Sequence, residues 1–121
     1  MRSFREPFLV VDLVLAPTSD GGRKSGILPG YRCPAVLRDP PKLLPVSART
    51  VTAELHDCLV DFDAERVEPG GSIPARLHPL FPEFWRDLTP GDAVGLYEPL
   101  RRVAIATVVE PLPAGSTEDE A

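Results

Sequence analysis

A chain of 121 residues, 43% hydrophobic and 26% charged, has the size and composition of one globular domain, able to close a core without metal or disulfide staples. Its formal net charge is −5, and setting aside Glu118, Asp119 and Glu120 near the end leaves −2 for the body, so no overall basic field draws it to nucleic acid. No segment reaches the roughly 20 apolar residues that span a bilayer, so no membrane association is expected, and two cysteines without a signal peptide, Cys33 and Cys58, read as separate reduced thiols of a cytoplasmic protein.

The 15 prolines and 9 glycines are spaced so evenly that long helices have almost nowhere to fit, while short β-type runs recur between them. The first run, Phe8 to Leu15, places Val11, Leu13 and Leu15 on one face and Asp12 on the other. The stretch SDGGRKSGILPGYRCP, Ser19 to Pro34, is glycine-rich and basic and has to be weighed as a phosphate-binding loop. Such a loop needs a Gly directly before its Lys-Ser/Thr and a helix after it. Here Arg23 precedes Lys24-Ser25, and Gly26, Pro29 and Gly30 follow, so no helix can begin there and the stretch reads as a turn between strands. GTP binding is not expected.

Val51, Ala53 and Leu55 alternate with Thr52, Glu54 and His56, as in a half-buried strand, and Ile73, Ala75 and Leu77 alternate with Pro74, Arg76 and His78. Pro74 requires that second strand to lie at an edge or to turn the missing N–H outward. Phe81-Pro82-Glu83-Phe84-Trp85 reads as one helical turn that plugs a barrel mouth. Thr89-Pro90-Gly91-Asp92 is a turn leading into Ala93–Glu98, which pairs across Pro99-Leu100-Arg101-Arg102 with Val103–Val109. Short strands at this spacing give an all-β barrel or sandwich spanning residues 1–112, with Val11, Leu13, Leu15, Leu55, Leu77, Leu96, Val103 and Ile105 in the core. Residues 113–121, without a large apolar side chain, read as a disordered acidic tail.

No residue set calls for catalysis, a metal or a cofactor. His56-Asp57-Cys58 resembles a small nucleophile relay, but on a strand Asp57 faces away from the other two. His56 and Cys58 lack the second pair of ligands that zinc needs, and Asp57, Asp61, Asp63 and Glu65 match no calcium loop. Glu83, beside two aromatic residues, belongs to no recognisable acid–base pair and predicts no reaction.

The order of the turn motifs resembles the third, carboxyl-terminal β-barrel domain of bacterial elongation factor Tu. In that domain a first strand ends in a Glu-Gly-Gly-Arg turn, a short strand follows, and Tyr-Arg-Pro precedes the next strand. The counterparts here are Asp20-Gly21-Gly22-Arg23 and Tyr31-Arg32-Cys33-Pro34. The family's Met-Pro-Gly-Asp turn and His-Pro are similar to Glu68-Pro69-Gly70-Gly71 and His78-Pro79, and its last hairpin to Leu88 through Val109, so that the likeness covers about residues 7 to 112. The resemblance implies a small closed barrel of six antiparallel strands and a non-catalytic binding module.

In that family the Gly-Gly-Arg loop and the Tyr-Arg-Pro region lie near the T stem of aminoacyl-tRNA, while GTP is held in another domain. By position, the resemblance makes Arg23, Lys24, Arg32, Arg101 and Arg102 the ligand-binding set, with Arg23 and Lys24 facing phosphate and Gly21, Gly22 and Tyr31 supporting the loop. The departures are Glu98-Pro99-Leu100-Arg101 where the family's hairpin has two glycines, Cys33 within the Tyr-Arg-Pro run, and the insert Asp39 to Arg49 beside the loop. With the near-neutral body, they favour a protein partner, with tRNA or another RNA as the alternative.

Overall fold

Six strands close into one antiparallel barrel in a computed structural model that describes residues 7–39, 54–98 and 101–113. The strands are β1 (Leu9–Leu15), β2 (Tyr31–Leu37), β3 (His56–Asp61), β4 (Ser72–Pro79), β5 (Ala93–Glu98) and β6 (Arg101–Glu110). Their order around the barrel is β1-β4-β3-β2-β5-β6, and β6 closes on β1. Closure gives each of the six described strands a neighbour on both sides. No helix among the described residues is long and apolar enough to cross a membrane.

Alternation along each strand fills the interior, since side chains two apart share a face. Val11, Leu13, Leu15, Leu77, Leu96 and Val103 are buried in the core, joined by Cys33, Ala35, Cys58, Val60, Val94 and Val108. Two of the residues expected there are not. Leu55 is 53% exposed, because the strand in this region begins at His56 and its inward positions are Cys58 and Val60. Residues 51–53, the rest of the expected run, lie outside the described residues. Ile105 is half-buried, because a bulge opposite Leu96 and Tyr97 turns both Val103 and Ala104 inward and carries Ile105 to the outer face.

Three prolines sit inside strands that have neighbours on both sides. Pro74 faces Asp12 of β1, and the pairing of β4 with β3 stops at Arg76, two residues short of it. The missing N–H therefore falls where no partner strand reaches, so Pro74 does not need a sheet edge. Pro34 likewise precedes the first residue of β2 paired with β5, Ala35. Pro79 stands opposite Cys58, where the bond to β3 is made instead by the Leu80 N–H, which donates to the Asp57 carbonyl at 3.2 Å.

Cys33 and Cys58 are free thiols that oppose each other in register across β2 and β3. Both are buried, and the contact with Cys33 together with burial pushes the Cys58 thiol up. A thiol held neutral and out of water is a poor nucleophile. Iodoacetamide should therefore leave both cysteines unmodified in the native protein and alkylate both in guanidinium, read by mass spectrometry. Prompt alkylation of the native protein would mean that β2 and β3 separate readily.

Candidate functional site

The loop after β1 is built to bring Arg23 back onto the barrel. Gly21 has φ +90°, a left-handed conformation that L side chains avoid, and closes a 3-10 turn over Thr18–Asp20. Gly22 is required for a different reason: a Cβ there would collide with the Ala16 backbone carbonyl. Arg23 then reaches inward. Its Nη1 is ion-paired with Glu98 of β5, its Nε donates to the Ser25 carbonyl at 3.0 Å, and its guanidinium lies 5.3 Å from the centre of the Tyr31 ring. The Tyr31 hydroxyl donates to the same Glu98 carboxylate. One carboxylate thus gathers two side chains that the chain places 75 and 67 residues away from it.

Burial and the hydrogen bond to Glu98 push the Tyr31 hydroxyl above its ordinary value near 10.0. The folded protein therefore keeps this proton at a pH where the unfolded chain has released it. The unfolded state then binds fewer protons, so stability falls as pH rises above about 10. In Tyr31→Phe the alkaline decline should be shallower than in the wild type, measured by urea unfolding from about pH 9 to about pH 11. Parallel profiles would show that Tyr31 contributes nothing to it.

The other basic residues expected to face a ligand fall into two groups. Arg32 of β2 points outward and pairs with Asp57 of β3 at 2.9 Å, with its side chain 60% exposed. Arg102 of β6 lies 3.6 Å from Asp39, whose side chain is almost completely buried. Lys24 and Arg101 are exposed, and both lie beside the Arg23–Glu98 pair, Lys24 in sequence and Arg101 as the register partner of Glu98. The structure therefore brings Arg23, Lys24 and Arg101 to one end of the barrel, while Arg32 and Arg102 are held on outer faces by their own acids. Arg23 turns toward Glu98 rather than outward, because burial beside a carboxylate and a ring offers it more partners than solvent does. The insert expected at Asp39 to Arg49 lies outside the described residues beyond Asp39, as do Pro99 and Leu100 of the last hairpin.

Three residues of the acidic cluster, Asp57, Asp61 and Asp63, have definite partners. Arg76 of β4 lies 3.1 Å from both Asp61 and Asp63, and Asp57 holds Arg32. Among the described residues no group of His, Cys, Asp and Glu is placed to hold a metal ion. His56 faces Phe84, with ring centroids 5.0 Å apart, and Asp57 points to the outer face, so the His56-Asp57-Cys58 run assembles no relay.

A second feature lies at the barrel mouth, where Pro82–Trp85 forms the 3-10 turn expected between strands. Trp85 alone plugs the mouth, fully buried. Phe81 and Phe84, expected to share that role, are 60% and 52% exposed. In a 3-10 turn residues three apart stand on one side, so Trp85, next to Phe84 in the chain, takes the inward side and leaves both phenylalanines outside. Beside Phe84 is a groove of about 330 Å³, lined by Val36, Leu37, Glu54, His56 and Phe84. The sequence signal for it was the aromatic cluster; which rings would face water was not written in its spacing.

Compared with known proteins, the chain matches no family model. No curated protein matches it either.

Proposed function

We propose that this chain is a non-catalytic protein–protein interaction module of the cytoplasm, built on the plan of the third domain of elongation factor Tu and acting in or near translation. One observation carries the reading: Arg23, Arg32 and Arg102, three of the five basic residues placed for a ligand, each lie within ion-pair distance of a carboxylate. A polyanion would have to compete with Glu98, Asp57 and Asp39 for these guanidinium groups, and the body adds no net positive charge to help it. A protein surface with its own hydrogen-bonding groups can dock without displacing those pairs. The alternative, contact with tRNA or another RNA, rests on Lys24 and Arg101, exposed on either side of the Arg23–Glu98 pair.

Titration of the purified protein with tRNA at about 50 mM and about 200 mM salt tests the choice. The expected result is association no tighter than ordinary non-specific binding, with Kd of about 10⁻⁴ to 10⁻⁶ M. Submicromolar binding near physiological salt, lost on Lys24→Ala and Arg101→Ala, would reverse the assignment. Capture of partners from the cell's own extract should survive nuclease treatment. Calorimetry with GTP should show no heat, since Arg23 stands where a phosphate-binding loop has glycine and no helix follows Ser25.

A further inference from the structure

We infer that the groove beside Phe84 docks a short protein segment presenting an apolar side chain next to lysine or arginine. This rests on the reading of the chain as a protein-binding module and names the site and the chemistry of its partner. The groove, about 330 Å³, is at the small end of the range for ligand pockets, enough for an anchoring side chain rather than a large ligand. Its walls are Val36, Leu37 and the paired rings of His56 and Phe84. Phe84 is fixed without being hidden, since the neighbouring Trp85 is fully buried and holds the turn in the core. A rigid, half-exposed aromatic next to an apolar cleft is the kind of residue that anchors interfaces.

Charge selects the partner. Glu54, its side chain 82% exposed, lies at the groove and contacts His56 Nε2 at 3.4 Å, and Glu83, exposed, adjoins Phe84. Among the described residues no lysine or arginine lines the groove. The nearby Arg38 is engaged, its Nη2 donating to the Asp87 carbonyl at 2.6 Å and its Nε lying 3.4 Å from Asp92. The charge that the described residues bring to the groove is therefore negative, and the exposed Phe84 ring is available to a cation. Single-stranded RNA could stack on such rings, but sites of that kind pair aromatic residues with a basic track for the phosphates, which the described residues of this groove do not supply. A second copy docking here about a two-fold axis would bring Glu54 and Glu83 against the same patch.

The test uses the whole purified protein and fluorescence anisotropy of a fluorescein-labelled Lys-Arg-Leu-Phe-Arg-Lys peptide. Saturable binding is expected, weakened by added salt, with no binding of Glu-Glu-Leu-Phe-Glu-Glu and weaker binding of Lys-Arg-Gly-Ser-Arg-Lys. Phe84→Ala should weaken the first peptide by about tenfold or more, and Glu54→Gln should flatten its salt dependence. Unchanged circular dichroism and Trp85 emission would show that both variants are folded. Equal binding of the acidic peptide, no saturable binding of the basic one, or an unchanged affinity in Phe84→Ala would overturn the assignment. So would an oligouridylate that binds in a Phe84-dependent way, or self-association abolished by Phe84→Ala. Capture from nuclease-treated extract separates this inference from the broader one: a partner held equally by wild type and Phe84→Ala refutes the groove and leaves the module standing.

Discussion

Trp85→Ala should lower the stability of the barrel by about 3–5 kcal/mol, one of the two largest effects expected in this protein. Trp85 is the largest fully buried side chain, and it comes from a 3-10 turn of four residues rather than from a strand. Truncation would empty the barrel mouth where it is seated, and strands held in register by their neighbours cannot collapse to fill the space. Trp85→Phe should cost much less than the alanine variant. The buried indole N–H has no hydrogen-bond partner among the described residues, so phenylalanine keeps most of the apolar contact and removes an unsatisfied donor. Urea unfolding followed by circular dichroism measures both. A loss below about 1 kcal/mol for Trp85→Ala would show that the turn contributes little to the core. The same variant should also release Phe84 from its fixed position, so weaker peptide binding should accompany it even where the barrel remains folded.

Asp39→Ala should cost about 3–5 kcal/mol, for an electrostatic reason. Asp39 lies just past β2 with its side chain almost completely buried on the outer side of the β5–β6 hairpin. Its carboxylate accepts a hydrogen bond from the Tyr97 hydroxyl at 2.6 Å and lies 3.6 Å from Arg102 Nη1. It fits there because residue 95 is glycine: a Cβ at that position would collide with the carboxylate. Alanine at position 39 leaves the Arg102 guanidinium, only 16% exposed, without this counter-charge. Combining Asp39→Ala with Tyr97→Phe should cost less than the two single changes added together, since both remove the same hydrogen bond. Additive losses would show that Asp39 and Tyr97 act independently. Because Arg102 is part of this support, Arg102→Ala should change stability before it changes binding, whereas Lys24→Ala should leave stability within about 0.5 kcal/mol.

Much of the fold was legible in the chain itself. Even spacing of proline and glycine excludes long helices, and alternation in Leu9–Leu15 and Ala93–Glu98 marks strands because side chains two apart share a face. Thr89-Pro90-Gly91-Asp92 forms the expected turn, with the Asp92 N–H donating to the Thr89 carbonyl at 3.0 Å and Gly91 at φ +94°. These are local features, set by backbone sterics and by the nearest few side chains. The glycine-rich loop could be recognised as a turn on the same grounds, since no helix can start among Gly26, Pro29 and Gly30.

What the sequence could not supply depends on contacts between distant segments. The start of β3 at His56, which leaves Leu55 exposed, follows from its register with Ala35 of β2, because the run on either side of His56 alternates equally well in two phases. The bulge that turns Ile105 outward is a property of β5 and β6 together. The direction of Arg23 was decided by Glu98, 75 residues away, and the burial of Asp39 by Tyr97, 58 residues away. Composition counts Arg23 as a surface cation, but barrel closure sets a carboxylate and a ring beside it, and a charge leaving water settles where its counter-charge and hydrogen bonds are fixed.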